Sequence, residues 1–263
     1  MAGDTHGNES WVTLLAELAF IHGATRILQL GDFGLWPGWE GERFLAKSSE
    51  SCRLMGVSLY AIDGNHDWHS RRLRLHEQLG WDQPLELAPS VFLLPRGFRW
   101  TWSGIRFGAL GGAFSVDWRM RNPGSDWWPE EEITEEDVAR LGGEPLDVLV
   151  THDAPPGVPL AGWDLPPADQ EKADLGRRMI GSAMAKTRPR LVLHGHWHHR
   201  HTLGLDSIQV TADGVHRLTA RVEGLADDGA GDGRAWGILE LPSLEFRGGT
   251  VVEALRSESD AEG

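Results

Sequence analysis

Aspartate, asparagine and histidine residues recur in five short clusters between Asp4 and His198. Each cluster joins these side chains to a glycine or another turn-forming residue. One such triplet arises by chance in many chains of this size, but five in series after apolar runs are hard to explain structurally, because buried polar groups are costly. We therefore interpret the series as one metal site. The clusters are Gly3-Asp4-Thr5-His6-Gly7-Asn8, Gly31-Asp32, Gly64-Asn65-His66-Asp67, Thr151-His152-Asp153 and Gly195-His196-Trp197-His198.

The donor atoms in these clusters favour one class of metal. Carboxylate and amide oxygens mixed with imidazole nitrogens suit Mn²⁺, Fe, Zn²⁺ or Ni²⁺ and disfavour soft ions. The only cysteine is Cys52, which excludes an intrachain disulfide and a thiolate cage and is typical of a reducing compartment. His196 and His198 need a turn between them, because alternate side chains of a straight strand lie about 7 Å apart. Gly195 is our candidate for that turn.

Apolar patterns predict the elements that carry the clusters. Strand, helix and strand follow one another in the first part of the chain, and this order favours parallel pairing with crossover helices. The polar residues at the strand ends should then gather along one edge of the sheet, where ligands usually bind. Strands are predicted at 26–30, 57–62, 146–150 and 191–193, and helices at 11–22 with Asn8 as N-cap and at 40–56. An amphipathic stretch runs over about 169–187.

Other segments break this pattern. Short alternating pieces over 91–110, interrupted at Ser103-Gly104, predict hairpins of a second sheet. The acidic segment 130–137 predicts a solvated helix start, and the glycine- and aspartate-rich segment 227–234 predicts a turn or loose loop. We expect a single domain over residues 1–256 followed by a disordered tail over 257–263.

Composition narrows the function classes. The formal charge of −14 and the absence of a basic stripe disfavour broad nucleic-acid binding. No apolar run of membrane-spanning length occurs and the first residues lack a signal-peptide pattern, which predicts a soluble, cytoplasmic protein. The chain has 13 tryptophans. Four of them lie near the clusters. One interpretation is that they stack on a nucleobase or an aromatic leaving group; the interpretation that we favour is that they pack around the site and shield it from water. They are Trp36, Trp68, Trp163 and Trp197.

In order and spacing, the series resembles the calcineurin-like metallophosphoesterase superfamily. The pattern of that family is D-x-H, GD, GNH[DE], a histidine after a strand, and GHxH, and all five motifs are present here from Asp4 to His198. The resemblance implies an α/β fold of two packed mixed β-sheets flanked by helices, an α-β-β-α sandwich. The change of strand pattern after residue 91 is compatible with that architecture.

Residue by residue, the resemblance implies two divalent metal ions, with Mn²⁺ as the first choice. A bridging ligand, Asp32, would contact both. Two cations roughly 3.5–4 Å apart turn a bridging water into hydroxide and neutralise phosphoryl oxygens, which amounts to hydrolysis of a phosphate ester. The implied ligands are Asp4, His6, Asp32 and His198 for one metal, and Asp32, Asn65, His152 and His196 for the other.

The resemblance also implies two catalytic residues next to a ligand. His66 follows Asn65 and would protonate the leaving group, while Asp67 would hold the other ring nitrogen of His66 and keep the ring charged. Arginines after Gly111-Gly112 are candidates to contact a phosphate oxygen, although we rank an exposed surface position higher for both. They are Arg119 and Arg121.

The remaining histidines have weaker links to the site. One of the three that flank the last motif is a candidate to touch phosphate, on sequence proximity alone, whereas the others are interpreted as surface or core residues. The flanking histidines are His194, His199 and His201, and the others are His22, His76 and His216.

Two features depart from the family pattern. Only Met1-Ala2-Gly3 precedes Asp4, where family members have a full apolar strand. We therefore expect the first strand to be missing, Asp4 and His6 to be tethered to a mobile end, and the first metal to bind weakly unless an upstream strand is restored. The sequence Phe33-Gly34-Leu35-Trp36 after Asp32 lacks the second Asp and the Arg-Gly pair of the protein serine/threonine phosphatases and their diadenosine-polyphosphate-cleaving relatives, which makes those subclasses unfavoured.

Three functional hypotheses follow. The first is a dinuclear phosphoesterase acting on a small or nucleotide-like monoester or diester. The second is a non-catalytic module that keeps the fold to bind a protein partner, supported by the missing strand and opposed by His66 and Asp67. The third is a single-strand nuclease, which the acidic charge makes weakest. We expect no membrane association, and the sequence does not indicate an oligomeric state.

Overall fold

The structure is a computed structural model that describes residues 1–160, 164–211, 214–230 and 233–249. The helices are α1 (Glu9–Ile21), α2 (Trp39–Leu54), α3 (His69–Leu79), α4 (Glu135–Leu141) and α5 (Pro167–Thr187). The strands are β1 (Arg26–Gln29), β2 (Ser58–Ala61), β3 (Leu85–Ala88), β4 (Val91–Leu93), β5 (Arg99–Trp102), β6 (Ile105–Leu110), β7 (Val148–Thr151), β8 (Leu191–His194), β9 (His201–Thr211), β10 (Gly214–Gly224), β11 (Gly237–Leu239) and β12 (Phe246–Gly248).

Ten of these strands form two large mixed sheets, and β11 and β12 form a separate antiparallel pair. The four-stranded sheet has the order β1-β2-β4-β3, and the six-stranded sheet has the order β5-β6-β7-β8-β10-β9. Neighbours β1, β2 and β4 run parallel in the first sheet, as do β6, β7, β8 and β10 in the second. The prediction of a mixed α/β fold with two sheets is confirmed. Parallel strands bring their carboxyl ends to a common edge, where the loops with the polar clusters begin.

Strand periodicity sorts the apolar side chains into three cores, because successive residues of a strand point to opposite faces. On β7, Val148 and Val150 face a core between the two sheets, whereas Leu149 faces the outer core against α4 and α5. On β1, Leu28 enters the shared core and Ile27 enters the outer core against α1 and α2. Three cores separate four layers, which gives the predicted α-β-β-α sandwich.

The predicted hairpins over 91–110 are only partly right. The piece 99–110 does form the antiparallel pair β5–β6 around Ser103-Gly104. Val91–Leu93, however, is β4 of the first sheet, where it pairs in parallel with β2 and antiparallel with β3. Alternation predicts that a segment is a strand but not which sheet it joins, because that depends on distant partners.

The first three residues lie beside β1 and are held on both sides. They are too few for a full strand, but their amides donate to Leu28 O at 2.9 Å on one side and to Ala235 O at 2.8 Å on the other. Asp4, which follows, is completely buried. The expectation that Asp4 and His6 hang from a mobile end is therefore wrong, since the backbone before them is already hydrogen-bonded into the sheet.

The acidic segment also differs from its prediction. Glu131 is completely buried at the end of a 3-10 helix, where it accepts hydrogen bonds from Ser115. The helix start itself lies at α4, whose Thr134 and Asp137 form a capping box. The prediction of a solvated helix start is therefore right for α4 but wrong for Glu131. The Ser115 amide and hydroxyl take the place of water around the Glu131 carboxylate.

The C-terminal tail and membrane-spanning helices were also addressed by the sequence predictions. The predicted tail 257–263 lies outside the described residues. None of the described helices combines the length and apolar character needed to cross a membrane.

Candidate functional site

All seven predicted metal ligands lie together at the edge where the parallel strands end. Six of them form two groups of three, and within each group the donor atoms lie within 4.8 Å of one another. Asp32 joins the groups, because its Oδ2 is 3.6 Å from His6 Nε2 and 3.4 Å from His152 Nε2. The first group is Asp4, His6 and His198, and the second is Asp32, His152 and His196.

Asp4 anchors the first group. Its carboxylate is fully buried and lies 3.0 Å from His198 Nε2. The backbone amide of His196 donates to both Asp4 oxygens at 3.1 Å. The last motif is thereby tied to the first.

Asn65 belongs to the second group. Its Oδ1 lies 3.0 Å from His152 Nε2, while its Nδ2 donates to Ser115 Oγ at 3.0 Å. The amide oxygen therefore faces the same space as the imidazole nitrogen. His152 is oriented from behind, since its Nδ1 lies 2.7 Å from Leu30 O, which leaves Nε2 for the site.

Four predicted ligands adopt a left-handed backbone that L-residues rarely use. Their φ angles are 42° for His6, 50° for Asp32, 65° for His196 and 49° for His198, and they make up half of the eight such non-glycine residues in the described chain. Strain of this kind concentrates where side chains must converge. The clustering of left-handed residues among the predicted ligands therefore supports a functional site.

Gly195 does not make the turn predicted for it. His196 and His198 carry the positive φ angles themselves. A Cβ at Gly195 would lie within van der Waals overlap of Asp4 Oδ1, at 2.1 Å, so glycine is required there for close approach. The need for a turn was predicted correctly, but the residue that makes it was not.

The buried carboxylates stabilise positive charge on the neighbouring histidines. Burial opposes the charged form of His152, but Asp32 and Asp4 outweigh burial and raise the pKa of His152 to about 10. In the same way Asp32 raises the pKa of His6 to about 9 against the effect of burial. Burial also disfavours ionised Asp32, yet His152 and His66 hold the pKa of Asp32 well below its usual range. Protons, or metal ions in their place, balance these carboxylates.

Two acidic residues at the site were missed by the sequence analysis. Asp227 Oδ2 lies 3.7 Å from His198 Nδ1, and Asp228 Oδ1 lies 3.6 Å from His6 Nδ1. The Asp228 carboxylate also accepts from Asn8 Nδ2 at 2.6 Å. The composition of this segment predicts only a turn or loose loop. The signal that could have found the pair was two adjacent aspartates directly after the apolar residues Leu225 and Ala226.

His66 and Asp67 are close in sequence but have separate partners. His66 donates its amide to Asp32 Oδ1 at 2.8 Å, and its Nε2 lies 3.9 Å from Asp32 Oδ2. Asp67 was expected to hold the His66 ring. Instead its two oxygens accept four backbone amides at 2.9–3.2 Å and so fix the loop after Asp32. The donors are the amides of Phe33, Gly34, Leu35 and Gly64.

One of the two candidate arginines reaches the site. Arg121 is 7 % exposed, and its Nη2 lies 2.5 Å from His66 Nε2. Burial, helped by Arg121, lowers the pKa of His66. Arg119 is 52 % exposed and pairs with Asp169, as expected of a surface arginine. The surface prediction is therefore wrong for Arg121, because the loop after β6 folds it inward.

Most residues around the motifs pack rather than point into the site. Trp197 donates from Nε1 to Asp153 Oδ1 at 2.7 Å, and the Trp36 ring lies where a side chain on Gly7 would stand. His194 is buried against His201. His76 is buried and stacks on a tryptophan, as a core histidine would. Trp163 lies outside the described residues.

Comparison with known proteins identifies the fold family. A model of the calcineurin-like phosphoesterase family matches residues 1–200. The chain belongs to this family.

Solved structures resemble the chain at low identity. One is TT1561 of Thermus thermophilus, which is 15% identical with a TM-score of 0.55 over 95% of this chain and 100% of that one. Another solved structure is 11% identical with a TM-score of 0.55 over 94% of this chain and 96% of that one. At these identities the likeness concerns the fold. None of the curated proteins matches the chain.

The donor set fits the divalent metals that calcineurin-like phosphoesterases bind. Each group mixes carboxylate oxygen with imidazole nitrogen, and the acidic groups are buried where a bare negative charge would be costly. Family membership and donor chemistry therefore agree on a divalent-metal site for phosphoester hydrolysis.

Proposed function

We propose that the protein hydrolyses a phosphate ester using two divalent metal ions that share Asp32. The observation that carries this proposal is the position of Asp32 Oδ2 between His6 Nε2 and His152 Nε2, one imidazole from each group. Mn²⁺ is our first choice, with Fe, Zn²⁺ or Ni²⁺ as alternatives of the same ligand preference. The first ion would be held by Asp4, His6, Asp32 and His198, and the second by Asp32, Asn65, His152 and His196.

The bound ions would supply an activated water and neutralise phosphoryl oxygens. The chain orients the groups around them. The His66 amide fixes one Asp32 oxygen, and the Leu30 carbonyl fixes the His152 ring. Asp67 holds the loop after Asp32 in place, and so has a positioning role in this proposal.

His66 is the proposed proton donor for the leaving oxygen. Its side chain is 39 % exposed at the open side of the site, beside Asp32 Oδ2. In this structure Nε2 accepts from Arg121 Nη2, so the ring would carry a proton there only once a bound phosphoryl group takes over the arginine donor. A phosphoryl anion bound next to His66 would offset the charge of Arg121, which favours the protonated ring.

The net charge of the chain narrows the class of substrate. The formal charge of −14 disfavours extended nucleic acids, so we propose a small or nucleotide-like phosphate ester. Cytoplasmic location is proposed from the single cysteine. The non-catalytic alternative was supported by the missing first strand, but the hydrogen bonds of the first three residues hold the backbone before Asp4 against the sheet without a full strand.

Hydrolysis of model esters tests the proposal. Metal-stripped protein should be inactive on p-nitrophenyl phosphate and bis-p-nitrophenyl phosphate, and added Mn²⁺ should restore turnover. Asp32→Asn should abolish restoration, whereas the exposed Asp206→Asn should leave it unchanged. Protein that binds Mn²⁺ yet cleaves neither ester would contradict the proposal and favour the binding module.

A further inference from the structure

Arg121 is buried at the edge of the site with one nitrogen unused. Its Nε and Nη2 contact the Asp117 carboxylate at 2.9 and 2.8 Å. Its Nη2 also lies 2.5 Å from His66 Nε2. Within the described part of the chain, Nη1 is buried and has no hydrogen-bond partner. The guanidinium thus touches the site through Nη2 and keeps an unpaired donor at Nη1.

A structural role for Arg121 leaves this donor unexplained. The ion pair with Asp117 already ties the loop after β6 together, and leaving a buried N–H unpaired is costly. Arginine's planar fork matches the oxygens of a phosphate group better than any other side chain. The donor is therefore suited to an oxyanion that arrives from outside.

The position of Arg121 beside the metal-ligand residues also favours an oxyanion as its binding partner. Arg121 touches His66, and His66 donates its amide to Asp32, the residue shared by the two groups. The loop after Asp32 contributes buried apolar side chains, Phe33 and Leu35, and no cation. Arg121 reaches this space from another loop.

We propose that Arg121 is a substrate-binding residue whose guanidinium donates to a non-bridging oxygen of the phosphoryl group being hydrolysed. This inference rests on the proposed function, because it takes the two donor groups to hold the same phosphoryl group. The ligand class is an oxyanion with tetrahedral oxygens, and inorganic phosphate is its simplest member.

Binding of inorganic phosphate to Mn²⁺-loaded protein tests the inference by calorimetry. Arg121→Gln should weaken phosphate binding by about 10- to 100-fold and raise KM for p-nitrophenyl phosphate in parallel, the usual effect of losing a hydrogen bond to a charged group. Arg121→Lys keeps the charge and should recover part of the loss. Arg119→Gln is the matched control: it removes an exposed arginine of the same loop and should change binding less than about twofold.

Two further measurements separate the explanations. Mn²⁺ affinity and melting temperature should be the same in Arg121→Lys as in the wild type. If Arg121→Gln and Arg121→Lys both bind phosphate as the wild type does while hydrolysis continues, Arg121 is structural and this inference is wrong. If phosphate binding falls only together with Mn²⁺ affinity, the inference is also wrong. A wild type that shows no metal-dependent hydrolysis would overturn the proposed function itself.

Discussion

Asn65 donates from its side-chain Nδ2 to Ser115 Oγ at 3.0 Å, and this bond decides which end of the amide faces the metal-ligand groups. Ser115 Oγ in turn donates to Glu131 Oε2 at 2.6 Å. A carboxylate that no motif contains therefore orients a ligand through one hydroxyl. Partners of this kind orient the metal ligand and thereby tune its affinity for the metal.

Ser115→Ala should weaken the second metal site without unfolding the protein. Loss of the hydroxyl frees the Asn65 amide to rotate, and loss of one orienting partner costs about 10- to 100-fold in metal affinity. Titration of metal-stripped protein with Mn²⁺ measures this loss of metal affinity. Ser125→Ala, at an exposed loop position, is the control and should bind Mn²⁺ as the wild type does. Equal affinity in both variants would show that Ser115 does not orient Asn65.

Glu131 should make stability fall as the pH rises toward neutrality. Burial raises the pKa of Glu131 from 4.5 to about 7. Below pH 4.5 the group is protonated in both states; between 4.5 and 7 the unfolded chain loses the proton first, so folding weakens by up to about 3 kcal/mol.

Chemical denaturation at about pH 5 and about pH 7.5, on either side of most of this range, measures the effect. The difference in unfolding free energy between wild type and Glu131→Gln should change across the range, because glutamine does not titrate. A constant difference would mean that Glu131 has an ordinary pKa in the folded protein.

His66→Ala should keep the metal content but lower turnover by about 10²–10⁴, the usual contribution of a general acid. The loss should be larger for phenyl phosphate than for p-nitrophenyl phosphate, because the p-nitrophenolate leaves without needing a proton. Steady-state kinetics on both esters gives the comparison. An equal loss on the two would assign His66 to substrate binding, and no loss would remove it from the mechanism.

Metal binding should release protons near neutral pH. With the pKa of His6 raised to about 9 and that of His152 to about 10, both rings are protonated at neutral pH in the metal-free chain. Both must lose a proton to bind a cation, so affinity should rise with pH up to those values. Calorimetry in buffers of different ionisation enthalpy counts the protons. A count of zero would show that these rings are already neutral.

Much of the site follows from local sequence, and the exceptions have a common cause. Asp32, His152 and His196 each stand where an apolar run ends, so the parallel sheet alone places them at one edge. The burial of Arg121 could not be predicted from its surroundings in sequence, because it depends on how an irregular loop folds over His66. The four amide donors to Asp67 likewise belong to two loops that only the tertiary structure brings together.

The fold shows the same division. Helix α1 begins after Asn8 as predicted, since Asn8 Oδ1 accepts from Trp11 N at 3.1 Å and the cap is a local interaction. The first three residues are different. Their place beside β1 depends on Ala235, far away in sequence, and no pattern in three residues indicates it.

Two-metal hydrolysis requires Asp32 to lie between two cations, and electron paramagnetic resonance of Mn²⁺-titrated protein tests this most directly. We predict two Mn²⁺ per chain with a spin-coupled signal, and in Asp32→Asn a loss of that coupling. A single ion per chain, or two uncoupled ions that Asp32→Asn leaves unchanged, would contradict it.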